Sequence, residues 1–168
     1  MAMISVEEYT RQLKEFVRLY AESGTTDEPF KMHKDTQWMY AEQRQLVDSV
    51  DGKEQAIRLI SITYNDAYAV PVLWFNFYAL DGRILYLDDF SAFLCTDSMS
   101  TSILNGLSQN EHPIHGIAFF NVHPCRTSEM MKNFNTRNYL ISWLSVYGAV
   151  LRFYVGNSVL QDCCSNDR

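Results

Sequence analysis

Between Ser5 and Tyr20 the apolar residues Val6, Tyr9, Leu13, Phe16, Val17 and Tyr20 recur at spacings of three and four, with Ser5 placed as an N-cap and Glu8 three positions on. That is the period of an amphipathic helix, ending before Gly24. Ser23 to Asp35 is polar, contains Pro29 and reads as a loop. Gln37 to Arg44 predicts a short first strand, and after Asp51-Gly52 the β-branched and aromatic residues of Glu54 to Tyr64 predict a second. Asn65-Asp66 turns the chain into Tyr68 to Leu80, whose run Val70-Pro71-Val72-Leu73-Trp74-Phe75 is the strongest strand signal. Pro71, which has no amide to donate, belongs at the start or edge of that strand. Asp81-Gly82 predicts a hairpin-type turn into Ile84 to Leu87, which extends an antiparallel meander. Ser98 to Leu107 reads as a short helix and Asn110 to Pro113 as turns. Ile117 to Val122 reads as a fourth strand, and Thr127 to Asn133 as another short helix. From Tyr139 to Leu151 the residues Leu140, Trp143, Leu144, Tyr147 and Leu151 return to helical spacing, and the polar tail 157–168 should fray.

The order helix, strands, helices predicts an α+β fold, with helices against one antiparallel four-stranded sheet. With 168 residues and 47% hydrophobic content, the chain reads as one domain over 1–168 with one core. A net charge of −6 argues against nucleic acid, whose phosphates need a basic surface, and favours protein or small-molecule partners. No apolar run approaches the ~20 residues of a membrane span. The first eight residues lack the basic-then-apolar pattern of a secretory signal, so a cytoplasmic location is expected. Four cysteines, two of them adjacent at Cys163 and Cys164, do not form a disulfide framework, and reduced thiols are expected.

Candidate chemistry gathers in Phe119-Phe120-Asn121-Val122-His123-Pro124-Cys125-Arg126-Thr127. Pro124 pushes His123 out of helical geometry and ends the preceding strand. Thr127 or Ser128 is then placed to cap the next helix, leaving Cys125 at a strand exit near a helix start, with Arg126 beside it. Positive surroundings favour thiolate, the form of sulfur that attacks a thioester. The same pattern also fits a buried, inert cysteine, and His-Pro-Cys does not separate the two. His123 fits a turn-forming role better than a general base. His112 and His115, with Cys163 and Cys164, match no common zinc spacing, so neither a metal nor a cofactor is expected. Asp88-Asp89 reads as a solvated loop and Cys95 as a small packed residue.

A set of ordered blocks carries more information than the motif alone. Tyr64-Asn65-Asp66-Ala67-Tyr68-Ala69-Val70-Pro71-Val72-Leu73-Trp74-Phe75, Leu80-Asp81-Gly82-Arg83, Glu111-His112-Pro113-Ile114 ahead of the cysteine segment, and Tyr139-Leu140-Ile141-Ser142-Trp143-Leu144-Ser145 together resemble the autophagy-related ten family. The resemblance implies a ubiquitin-conjugating-like fold. It also implies an enzyme that takes the ubiquitin-like autophagy-related protein twelve from the activating enzyme autophagy-related seven, as a thioester on Cys125, and passes it to a lysine of autophagy-related five. The sister family, autophagy-related three, shares His-Pro-Cys but modifies a lipid and is usually much longer. Ordinary ubiquitin-conjugating enzymes carry a His-Pro-Asn block that is missing here, so other groups must assist the lysine. Asn121 and Tyr64 are the candidates for lysine positioning or oxyanion support. A non-catalytic module that keeps the fold and binds by strand addition is a different class of reading, one that has no need of Cys125.

Overall fold

Ser5 begins the first helix as the sequence suggests, its Oγ accepting from the Glu8 amide at 3.2 Å, and α1 runs over Val6–Glu22 in this computed structural model. The structure describes residues 3–134, 137–157 and 159–160. Helix α1 buries Tyr9, Leu13, Phe16 and Tyr20. Each such side chain withdrawn from water contributes roughly 1.5–3 kcal/mol.

Among the described residues six strands follow rather than four: β1 (Lys31–Lys34), β2 (Met39–Asp48), β3 (Gln55–Asn65), β4 (Val70–Tyr78), β5 (Leu107–Glu111) and β6 (Ala118–Val122). They form one sheet in the order β1-β2-β3-β4-β6-β5, with every pair antiparallel. The two strands missing from the sequence reading are its edges. β1 lies in the segment read as loop, and β5 overlaps both the expected helix end and the expected turn. Both are polar and mostly exposed, so no apolar alternation marks them, and each is held by its one neighbour.

The Ile84 to Leu87 segment does not extend the meander. Only Ile84 bridges back to Tyr78, and the chain then enters α2 (Leu87–Phe90), which places Asp88 and Asp89 on an exposed first helical turn. Helix α3 (Ser98–Leu104) stops three residues earlier than expected. Helix α4 (Pro124–Met130) starts three residues earlier than expected, and α5 (Tyr139–Val150) matches its apolar pattern.

Strand alternation divides the side chains between two faces. Ile60, Ile62 and Tyr64 of β3, with Leu73, Phe75 and Phe77 of β4, meet the helices in the main core. Val72, Trp74 and Phe119 form a smaller cluster on the opposite face. Asn138 ties the helical layer together: it caps α5 by accepting from Ile141 and donates to Glu15 of α1, while Gln12 accepts from the Leu140 amide. The tail expected to fray falls mostly outside the described residues; within it Val159 is buried in the core.

Candidate thiol site

Cys125 is exposed and reduced on the second residue of α4. The cap of this helix is His123, not Thr127 or Ser128. Pro124 needs no amide partner at the first helical position, and the His123 ring Nδ1 accepts from the Cys125 amide at 3.2 Å. Thr127, offered by the sequence as the cap, is instead buried one turn into the helix. The same Nδ1 lies 2.8 Å from Cys125 Sγ, so one ring atom fixes the turn and touches the sulfur. Exposed Tyr68 meets the His123 ring edge-on, with centroids 5.5 Å apart. No pattern in the sequence marked Tyr68, because that contact depends on the β3–β4 turn reaching β6.

The two proposed helpers fall on opposite faces of the sheet. Asn121 is buried on β6 in register with Trp74 and with Ser108, and its Oδ1 accepts from Asn110 of β5 at 3.4 Å. Tyr64 points into the helix-side core beside Tyr9, with ring centroids 5.2 Å apart, and its hydroxyl donates to the Ile4 carbonyl at 2.7 Å. Burial pushes its phenol above the ordinary value, so it stays protonated as a donor. The structure thus brings His123 to Cys125, keeps Asn121 two residues upstream of that histidine, and engages Tyr64 elsewhere.

The remaining cysteines and a histidine cluster bear on metal chemistry. Cys163 and Cys164 lie outside the described residues. Cys95 is half-buried, with its Sγ 3.5 Å from Asp97. Glu42, His112 and His115 have ligand-capable atoms within 4.8 Å of one another. Yet His112 Nδ1 accepts from the amides of Ile114 and His115 at 3.1 and 3.2 Å. The ring proton therefore sits on Nε2, which donates to Ser61 Oγ at 3.0 Å, and a metal would find no free lone pair on this ring. His115 is paired with Glu42. These contacts make the trio a clasp that holds the 112–117 loop to the sheet.

Comparison with known proteins adds the context that geometry cannot. Residues 6–158 match the model of the family described as autophagocytosis associated protein, active-site domain. The chain is 38% identical over 102 residues to the ubiquitin-like-conjugating enzyme ATG10 of Homo sapiens, a match covering 54% of this chain and 46% of that protein. It is 32% identical over 104 residues to the enzyme of the same name from Arabidopsis thaliana, with coverage of 54% and 46%. For the one from Dictyostelium discoideum the figures are 30% over 121 residues, covering 60% and 53%. The chain thus spans about half the length of the curated relatives it matches. A crystal structure of an autophagic E2, Atg10, superposes with a TM-score of 0.62 at 16% identity, covering 91% of this chain and 99% of that one. At that identity the likeness establishes the α+β conjugating-enzyme fold.

Proposed function

The chain belongs to the autophagocytosis-associated active-site-domain family, and on that premise we propose that it is a ubiquitin-like-protein conjugating enzyme working through Cys125. In this reading Cys125 accepts autophagy-related protein twelve from the activating enzyme autophagy-related seven and delivers it to a lysine of autophagy-related five, in the cytoplasm. The observation that carries the proposal is the exposed Sγ in the first turn of α4, in contact with His123 Nδ1.

Loading is thioester exchange. The Cys125 thiolate adds to the carbonyl carbon of the incoming thioester, and the tetrahedral adduct collapses with loss of the activating enzyme's thiolate. His123 Nδ1 is within reach of the thiol proton and takes it only by releasing the Cys125 amide that the same lone pair caps. Transfer is harder, because a lysine at pH 7.4 is only about one part in a thousand neutral, a handicap of about 4 kcal/mol. The neutral amine attacks the carbonyl, a proton leaves the nitrogen, and Cys125 departs as thiolate. Asn121, buried on β6 with Oδ1 engaged by Asn110, retains its Nδ2 as the donor proposed for the oxyanion. Tyr64 takes part only if its hydroxyl leaves the Ile4 carbonyl.

The test mixes the chain with activating enzyme, ubiquitin-like protein and ATP and resolves the products without reductant. Wild type should give an adduct that thiol reductant destroys, and Cys125→Ser a reductant-resistant ester or nothing. A thiol-sensitive adduct on Cys125→Ser would overturn the proposal.

A further inference from the structure

Arg126 follows the nucleophile and is exposed, and no carboxylate lies within 4.0 Å of its guanidinium among the described residues. Its position is nevertheless defined. The side chain lies across Gly106, between α3 and β5, so closely that a Cβ built there would stand 2.5 Å from Nη1, 2.8 Å from Cζ and 3.0 Å from Cδ. The backbone angle of Gly106 is not left-handed, so conformation does not demand glycine here; the missing side chain is what gives Arg126 its seat. A long cationic side chain ordinarily loses rotamer freedom when it binds, and a seat lowers that cost in advance. The exposed side chain ends in a planar fork that suits a carboxylate, which it can grip with two parallel hydrogen bonds.

The placement of the seat indicates which protein supplies the carboxylate. Gly106 leads directly into β5, where Leu107 pairs with Val122 and Ser108 with Asn121. The seated cation and the asparagine assigned to the oxyanion therefore both adjoin β5, Arg126 through Gly106 and Asn121 through its pairing with Ser108. We propose that Arg126, seated on Gly106, anchors a carboxylate of the acceptor protein while that protein's lysine approaches the thioester on Cys125. This rests on the conjugating function proposed above.

The experiment uses the full chain loaded with the ubiquitin-like protein and follows single-turnover discharge against increasing autophagy-related five. In parallel, discharge is measured to hydroxylamine, a small amine that is neutral at neutral pH and has no carboxylate. Arg126→Gln should raise the half-saturating acceptor concentration about tenfold and flatten its salt dependence, while the loss of positive charge beside the sulfur lowers the rate at saturation and the hydroxylamine rate by one common factor. Arg126→Lys should recover part of the loss. Gly106→Ala keeps the charge but displaces the flexible end of the arginine, and should reproduce the Arg126→Gln shift. An unchanged half-saturating concentration in Arg126→Gln, with only a fall common to saturated and hydroxylamine discharge, overturns the anchor by confining Arg126 to the helix or the thiol. Failure of wild type to load at all would instead overturn the conjugating function, so the two failures are distinguishable.

Discussion

Replacing His112 tests the clasp that joins the loop before β6 to the outer sheet face. The ring is fully buried, touches Trp74, His115 and Phe119 at centroid distances of 5.0, 4.7 and 4.7 Å, accepts two amides and donates to Ser61. In His112→Ala, two amide donors and the Ser61 hydroxyl lose their partner, at roughly 1 kcal/mol or more each, and an aromatic-lined cavity opens. The sum is about 3–5 kcal/mol. His112→Asn places Oδ1 near the position of Nδ1 and keeps the loop amides satisfied, so it should lose about half as much. His112→Gln reaches toward Ser61 but abandons the amides, and should fall closer to alanine. Urea unfolding followed by far-UV circular dichroism, with the slope compared between variants, gives these values. A loss under about 1 kcal/mol in His112→Ala, or an asparagine variant as unstable as alanine, would refute the hydrogen-bond assignment. The protonation state gives an independent check. Burial, with help from neighbouring His115, pushes the folded His112 value down to about 3 from the ordinary 6.5. The unfolded chain therefore binds the extra proton first. The contribution is complete above 6.5 and is lost as pH falls toward 3, at pH 5 by about 2 kcal/mol for a sealed site and nearer ~1 with partial solvent screening. His112→Asn should lack this part of the acid loss; an identical acid slope would contradict the neutral, buried ring.

Asn121→Ala should load normally and discharge to lysine about tenfold to a hundredfold more slowly in single turnover, as expected for a lost oxyanion donor; unchanged discharge removes Asn121 from the chemistry. Tyr64→Phe deletes the bond to Ile4 and should lower stability by about 1 kcal/mol in urea unfolding. A discharge rate that falls beyond what this accounts for would return the hydroxyl to the mechanism. Gly148→Ala would put a Cβ 2.5 Å from Cδ1 of the Phe153 ring and 3.1 Å from the Phe153 carbonyl oxygen. That ring is packed among Phe16, Tyr20 and Phe30, so a loss of about 1–3 kcal/mol and a lower Tm are expected, and an unshifted Tm would show that the ring moves freely.

Elements with a buried face were legible because burial imposes a period. Tyr9, Leu13 and Phe16 marked α1, and the Val70 to Phe75 run marked the central strand β4. The edge strands Lys31–Lys34 and Leu107–Glu111 impose no such period, since a single ladder of backbone bonds defines them. Around the thiol, Pro124 was readable as the break that puts Cys125 at a strand exit and a helix start, but the cap was misplaced. Threonine and serine are the usual caps, and here a histidine does the work with proline at the first helical position after it. Tyr64 looked available at a strand end because its partner, the Ile4 carbonyl, lies 60 residues away in sequence. His112 offered only a possible ligand that matched no zinc spacing; its amide and serine contacts depend on a loop fold that spacing does not encode. The Gly106 seat of Arg126 was equally hidden, because the two residues meet only when β5 pairs with β6.

The central claim is that Cys125 carries the modifier, and a chain in which it is the sole cysteine tests this most directly. Cys95→Ser, Cys163→Ser and Cys164→Ser combined, incubated with activating enzyme, ubiquitin-like protein and ATP, should form a reductant-sensitive adduct at the wild-type rate. The complementary chain lacking only Cys125 should form none. A sole-Cys125 chain that stays unloaded while the complementary chain accumulates a reductant-sensitive adduct would contradict the account.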